Sequence, residues 1–217
     1  MNKHKNVDYV IDWETMDNKP SSVVLSFAIT PFYEDELSSF DELESVSKYW
    51  KFDVDSQTKE GRTIGQDTLD WWLKQDKEVY ESQMLPSDID VHLSTFVQEL
   101  KDFIEQTGGS SWSQLYCRGA DFDYPILGSI IENYSDEDPK MFPVPFWNKN
   151  DLRSYIRGMF VDRKFTKVPL PNGTLTGFKH HDPIHDCVRA AMHIQYARKY
   201  ALGELDIPDN PDPNSNK

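Results

Sequence analysis

The stretch that most constrains the fold is Val7–Thr15, which reads Val-Asp-Tyr-Val-Ile-Asp-Trp-Glu-Thr. Its β-branched and aromatic residues predict a buried β-strand, and the strand ends with two acids, Asp12 and Glu14. Side chains alternate across a strand, so these two carboxylates point to the same face, roughly 7 Å apart at about 3.3 Å per residue. A fold built on this strand must place two carboxylates at one end of its sheet.

Two converging carboxylates can bind a hard divalent cation, and a metal ion with open positions can activate water or bind a phosphate. The alternative is that Asp12 and Glu14 simply face solvent at the end of a strand. Further acids and a base elsewhere in the chain decide between these two interpretations.

The next acidic position follows a strand predicted over 114–118. The residues after this strand turn into a helix predicted over 124–133, so Asp123 is expected near the helix N-cap. It then lies at the carboxyl end of a strand, where open α/β sheets bind ligands. A plain capping role for Asp123, and Asp121 as the competing acid, are the alternatives.

A long helix is predicted over Asp182–Tyr200, because Asp followed by Pro is a typical pair for the N-cap and first helical position. Asp186 then lies on the first turn, where the helix dipole favours an anion. His181 precedes the helix on a loop, and a histidine can accept a proton near neutral pH. Because His180 and His185 are close by, any one of the three could be an incidental exposed side chain.

Two adjacent tryptophans, Trp71 and Trp72, follow a short helix start at Asp67. Two neighbouring rings cannot both face the core, so one is available to stack on a nucleic-acid base. The alternative is that both rings pack beneath a loop.

The formal net charge of −14 argues against a protein that coats nucleic acid through bulk electrostatics, but it is compatible with an enzyme that has an acidic metal site. The two cysteines, Cys117 and Cys187, lack zinc-site spacing. With no signal peptide or long apolar run, the chain is expected to be cytoplasmic and without a membrane role. We expect one domain over 1–206 and a flexible tail over 207–217, which contains three prolines and no apolar period.

The Asp12-x-Glu14 strand, Asp123 at a strand-to-helix turn, and His181 with four residues before Asp186 together resemble the DEDDh 3′→5′ exonucleases. The resemblance covers about residues 7–202 and is greatest to the phage exonuclease A type. The stretches that carry it are Ile-Asp-Trp-Glu-Thr-Met, Thr-Leu-Asp-Trp-Trp, Cys-Arg-Gly-Ala-Asp-Phe-Asp-Tyr-Pro-Ile-Leu, Phe-Trp-Asn and His-Asp-Pro-Ile-His-Asp-Cys. It implies a single-domain α/β, ribonuclease H-like fold with a five-stranded mixed sheet, an antiparallel second strand and flanking helices.

The resemblance also implies a site for two Mg²⁺ or Mn²⁺ ions held by Asp12, Glu14, Asp123 and Asp186. His181 would deprotonate the attacking water. The expected reaction is hydrolysis of single-stranded DNA from the 3′ end, with release of nucleoside 5′-monophosphates.

Thr15, Phe122 and one of Trp71 or Trp72 are expected to hold the terminal nucleotide. RNA 3′ ends are the nearest alternative substrate, because nothing in the sequence reads the 2′-hydroxyl. A catalytically silent nucleic-acid-binding scaffold is the alternative from another functional class. For a phage-encoded chain, the expected location is the host cell cytoplasm.

Overall fold

A computed structural model describes residues 6–215 and has a six-stranded sheet at its centre. In chain order the strands are β1 (Asp8–Thr15), β2 (Val24–Phe32), β3 (Lys48–Phe52), β4 (Asp90–Val91), β5 (Leu115–Cys117) and β6 (Lys149–Asp151). Across the sheet they lie in the order β4-β3-β2-β1-β5-β6.

The second strand runs against its neighbours. It pairs antiparallel with β1 and β3, whereas the β1–β5, β5–β6 and β3–β4 pairs are parallel. This confirms the predicted mixed sheet with an antiparallel second strand. The predicted count of five is wrong by one: the two-residue β4 pairs with β3 beside an ion pair of 3.5 Å between Lys51 and Asp90. A strand of two residues is too short to show an alternating pattern.

Helices cover both faces of the sheet. They are α1 (Phe40–Val46), α2 (Val54–Lys59), α3 (Gln66–Trp72), α4 (Lys77–Met84), α5 (Leu93–Gln106), α6 (Ala120–Tyr134), α7 (Leu152–Phe160) and α8 (Pro183–Ala201). Within residues 6–215, no helix has both the length and the apolar character needed to cross a membrane.

The sheet separates two hydrophobic cores, and the alternation of β1 assigns its side chains to one or the other. Tyr9 and Trp13 pack with α5 and α6 on one side, whereas Val10 packs with α7 and α8 on the other. Asp12 and Glu14 continue the series of Val10, so they project toward α8.

The two helices that carry predicted metal ligands, α6 and α8, begin differently from one another. The first residue of α8 is Pro183 and its N-cap is Asp182, as predicted. In contrast, α6 begins at Ala120, four residues before the predicted start. The N–H of Asp123 donates to the carbonyl of Gly119 at 2.9 Å, so this acid lies inside the first turn and is not an N-cap.

Residues 216 and 217 of the flexible tail expected over 207–217 lie outside the described residues, and the described part of that segment differs from the expectation. Asp212 and Ser215 are buried, and the Asp212 carboxylate accepts the N–H of Gly173 at 3.0 Å. Residues 211–215 therefore pack as part of the fold. Composition indicated a loose tail because it does not show which backbone donors a side chain will meet.

Candidate active site

Two carboxylates leave β1 on the side of α8. Trp13 separates them in sequence, and its ring packs into the opposite core, 4.3 Å from the Phe27 ring and 5.6 Å from the Phe96 ring. Asp12 and Glu14 therefore share the other face of the strand. The pairing of β1 with β2 shifts register after Glu14, so this carboxylate lies where the regular strand ends.

The first turn of α8 supplies a third carboxylate, that of Asp186. Its backbone N–H donates to the carbonyl of Asp182 at 2.9 Å, which places it on the helix. Its carboxylate accepts the backbone N–H of His181 at 3.2 Å and pairs with the Arg189 guanidinium. Asp186 therefore connects the helix to the loop that carries the histidine.

A fourth carboxylate comes from the first turn of α6. Asp123 is only 4% exposed, whereas its competitor Asp121 is exposed. Burial raises the pKa of Asp123 from 3.8 to about 7, although a hydrogen bond with the Cys117 side chain acts in the opposite direction. The structure therefore turns Asp123, and not Asp121, into the protein.

Asp12, Glu14, Asp123 and Asp186 form one group, called here the acid cluster. Burial raises the pKa values of Asp12 and Glu14 well above their ordinary values, and repulsion by Asp186 and Asp123 adds to this effect. Like charges held this close are unfavourable unless they are protonated or neutralised by a cation. The acid cluster therefore has the oxygen donors and the self-repulsion that suit a divalent cation.

Three of the donor atoms are close enough to share an ion. One ring nitrogen of His181 and one oxygen each of Glu14 and Asp186 all lie within 4.8 Å of one another. The residues present thus fit a cation, with carboxylate oxygen as the predominant donor.

His181 is held at the acid cluster by its backbone. Its φ of 60° lies in the left-handed region, which residues other than glycine adopt uncommonly. The hydrogen bond from its N–H to Asp186 stabilises this conformation, and its ring meets the Trp71 ring edge-on at 4.9 Å. This strained backbone conformation, held by the hydrogen bond to Asp186, places the imidazole beside the carboxylates.

The other two histidines of this region have different surroundings. In His185, Nδ1 accepts the N–H of Lys179 at 2.8 Å, and Nε2 lies 3.0 Å from the Glu44 carboxylate. His180 packs edge-on against an aromatic ring. Of the three, the structure brings His181 to the acid cluster.

The four predicted nucleotide-binding residues line a single cavity of about 380 Å³, called here the aromatic cavity. Glu14 also lines it, together with Thr15, Phe122, Trp71 and Trp72. Trp72 is buried and its indole N–H donates to the carbonyl of Thr15 at 2.8 Å. Trp71 is 39% exposed, so its ring is the one available for stacking.

Sequence reasoning missed two arginines, Arg118 and Arg189. They line a cavity of about 250 Å³ together with acid-cluster residues and His181. The three-residue spacing from Asp186 to Arg189 on one helix was a usable signal, since such residues are neighbours on a helix surface. No such local signal marked Arg118, because its hydrogen-bond partner His193 is 75 residues away in sequence.

Comparison with known proteins found a matching family and a relative that cover most of the chain. The family model described as "3′-5′ exoribonuclease Rv2179c-like domain" matches residues 7–198. The exodeoxyribonuclease of Enterobacteria phage T4 is 37% identical over 214 residues, which cover 93% of each chain.

Two solved structures of E. coli exonuclease I have a similar fold. The complex with a dT13 oligonucleotide has a TM-score of 0.57 at 12% identity, over 93% of this chain and 42% of that one. The zinc-bound form of a complex with single-stranded DNA has a TM-score of 0.56 at 10% identity, over 93% and 43%. This chain thus spans less than half the length of exonuclease I, and the similarity shows the fold, which confirms the expected ribonuclease H-like architecture.

The family match and the phage relative extend over nearly the whole chain. The family is described as 3′-5′ exoribonucleases, and the phage relative is named an exodeoxyribonuclease. The chain therefore belongs to the 3′-5′ exoribonuclease Rv2179c-like domain family, and it is a 3′→5′ exonuclease of the DEDDh type.

Proposed function

We propose that this protein hydrolyses single-stranded DNA from the 3′ end and releases nucleoside 5′-monophosphates. The observation that carries the proposal is the convergence of four carboxylates and His181 beside a cavity with an exposed tryptophan. The carboxylates suit a metal-assisted reaction at phosphorus, and the cavity suits a nucleoside.

The acid cluster would hold Mg²⁺ or Mn²⁺, because these ions prefer oxygen ligands. When bound, two such ions stabilise the attacking and leaving oxygens of an in-line displacement at phosphorus. The raised pKa values of Asp12 and Glu14 support a cation here, since positive charge would relieve their repulsion. Exonuclease I has a zinc-bound form, which supports a divalent cation in this fold.

His181 acts in the proposed reaction as the general base. It takes a proton from the attacking water, whose oxygen bonds to phosphorus while the bond to the 3′ oxygen of the preceding nucleotide breaks. Its position within 4.8 Å of Glu14 and Asp186 oxygens supports this role. Asp186 in turn acts as a positioning residue through the backbone of His181.

The aromatic cavity would receive the terminal nucleoside. The exposed Trp71 ring offers a stacking surface for any base. Phe122 and Thr15 line the same cavity. The buried Trp72 holds the Thr15 backbone in place through a hydrogen bond from its indole N–H to the Thr15 carbonyl. Because Glu14 lines both cavities, a nucleoside bound here would have its 5′ phosphate next to the acid cluster.

DNA is the proposed substrate because the phage relative, at 37% identity over 93% of both chains, is an exodeoxyribonuclease. RNA is the second candidate, because the matching family is described as exoribonucleases. The two descriptions disagree, and a direct competition between the two polymers decides.

The test is digestion of a 5′-labelled single-stranded DNA and its matched RNA with Mg²⁺, Mn²⁺ or EDTA. We expect a ladder that shortens from the 3′ end of DNA, requires metal, and is lost in His181→Ala and Asp123→Asn. Asp121→Asn is the matched control, since it removes an exposed acid from the same helical turn. Digestion of RNA but not DNA would mean that RNA is the substrate. Activity in EDTA would contradict the proposed requirement for a divalent cation.

A further inference from the structure

Four positive side chains converge beside the acid cluster of a chain whose net charge is −14. They come from four places: the end of β5, helix α7, the segment that follows α7, and helix α8. This cation cluster comprises Arg118, Arg153, Lys167 and Arg189.

The guanidinium groups are held by backbone carbonyls and, for Arg189, also by the Asp186 carboxylate. Arg118 donates to the carbonyl of Thr166 at 3.2 Å, and Arg189 donates to the carbonyl of Asn214 at 3.3 Å. Arg153 donates to the backbone carbonyl of Arg118. Carbonyl oxygens orient a guanidinium without cancelling its charge, so these contacts do not neutralise Arg118 or Arg153, whereas Arg189 also pairs with Asp186.

Arg118 has a further partner that fixes its direction. Its guanidinium donates at 3.0 Å to Nδ1 of His193, a fully buried histidine. A ring nitrogen that accepts a hydrogen bond must be unprotonated. Burial, followed by the charge of Arg118, keeps the pKa of His193 well below its ordinary value, so the ring stays neutral. The fold thus uses a neutral buried side chain to position a cation.

The cations are close enough to repel one another. Burial lowers the pKa of Arg118 to about 10, with further lowering by Arg189 and Arg153. Burial also lowers the pKa of Lys167, and Arg118 adds to the effect. Asp186 and Asp151 oppose the repulsion only in part. Side chains that are kept together against mutual repulsion suit an anionic ligand.

Two of the four cations line a cavity of the proposed active site that Trp71 does not line. Arg118 and Arg189 line the cavity that also contains Asp12 and Asp186. Trp71 lines the aromatic cavity, and the two cavities share Glu14. A strand whose last nucleoside occupies the aromatic cavity therefore continues past the acid cluster toward the cations.

We propose that the cation cluster binds the backbone phosphate on the 5′ side of the scissile bond. Arg118 and Arg189 form its inner part, and Arg153 and Lys167 extend it toward solvent. This inference rests on the proposed function, because it assigns the remainder of the same strand. It accounts for a concentration of positive charge in an otherwise acidic protein, since a phosphate backbone is the ligand that such a nuclease must orient.

The competing explanation is that the cations only neutralise the acid cluster. The two explanations differ for a substrate that lacks upstream phosphate. Thymidine 5′-(p-nitrophenyl phosphate) has one nucleoside and one phosphate, with p-nitrophenolate as leaving group in place of the strand. Cations that neutralise carboxylates would affect this ester and an oligonucleotide equally, whereas cations that bind upstream phosphate would affect the oligonucleotide more.

The test measures kcat/KM of the full chain with Mn²⁺ on a labelled oligothymidylate and on the ester. The variants are Arg153→Gln and Lys167→Gln, and the control is Lys59→Gln, which removes an exposed charge from α2. We expect the loss on the oligonucleotide to exceed the loss on the ester by about tenfold, as for one charge-assisted hydrogen bond. The dependence of log kcat/KM on log salt should weaken by about 0.7 for each cation removed, the value for single strands.

Equal losses on both substrates, or no loss on the oligonucleotide, would overturn the inference while leaving the exonuclease intact. If the unaltered protein cleaved the oligonucleotide but salt dependence did not change in either variant, the inference would also be wrong. If the unaltered protein cleaved neither the oligonucleotide nor the ester, the proposed function itself would be wrong. Failure of the inference and failure of the proposed function are therefore distinguishable.

Discussion

Replacing Asp123 by asparagine should make the metal-free protein more stable at pH 8 while it removes activity. Asp123 is 4% exposed, and burial is the main reason that the pKa of its carboxyl is raised from 3.8 to about 7. Asparagine has nearly the same shape and carries no charge. The substitution therefore removes the cost of burying a carboxylate and leaves the packing of α6 in place.

The size and pH dependence of the effect follow from the two pKa values. Below pH 3.8 the carboxyl is protonated in both states, so the variant and the unaltered protein should be equally stable. Between pH 3.8 and about 7 the unfolded chain ionises first, so the unaltered protein loses stability as pH rises. At about 1.36 kcal/mol for each pKa unit, the difference above pH 7 is at most about 4 kcal/mol.

The assay is urea unfolding in EDTA at pH 4 and pH 8. At pH 8 the free energy of unfolding should be higher in Asp123→Asn by up to about 4 kcal/mol, with a rise in Tm on the order of 10 °C. At pH 4 the two proteins should differ by less than about 1 kcal/mol. Asp121→Asn, which changes an exposed acid two residues away, should stay within about 0.5 kcal/mol at both values.

A variant that is no more stable than the unaltered protein at pH 8 in EDTA would contradict this prediction. That result would mean that the Asp123 carboxylate is well stabilised without metal, and that the acid cluster is not a site of stored repulsion. Saturating Mn²⁺ provides a second check, because it should stabilise the unaltered protein more than the variant that has lost one ligand.

The remaining predictions concern four other side chains. Asp12→Ala should abolish turnover without lowering the Tm of the metal-free protein, since it removes one of the mutually repelling acids; circular dichroism melting checks this. Trp71→Ala should raise KM about tenfold with no change in stability, as for one lost stacking surface in steady-state kinetics. Asp212→Ala should cost about 2–3 kcal/mol in urea unfolding, because its carboxylate accepts three backbone N–H groups. Asp8→Asn should gain up to about 3 kcal/mol above pH 6, since burial raises the pKa of Asp8 from 3.8 to about 6, and the gain should vanish at pH 3.

Much of the fold and of the proposed site followed from local patterns. The alternation of β1 placed Asp12 and Glu14 on one face, and the Asp182-Pro183 pair marked the start of α8, as the structure has them. The helix that carries Asp123 was less predictable. Its start at Ala120 depends on the Gly119 carbonyl, and no side chain caps it.

Other features depend on contacts between distant parts of the chain. His185 is engaged because Glu44, 141 residues away, reaches its ring. Trp72 is buried because its indole finds the Thr15 carbonyl, 57 residues away, which leaves Trp71 at the surface. The docking of residues 211–215 and the pairing of Arg118 with His193 have the same origin.

Local sequence patterns predict which residues form β1 and α8, and where their carboxylates lie on each element, because alternation and capping act over a few residues. The resemblance already indicated His181, but packing of distant segments was needed to show which tryptophan stays exposed and which arginines lie beside those carboxylates. The reason is physical: burial, mutual repulsion and long-range hydrogen bonds arise when separate elements pack, and no short-range pattern records them.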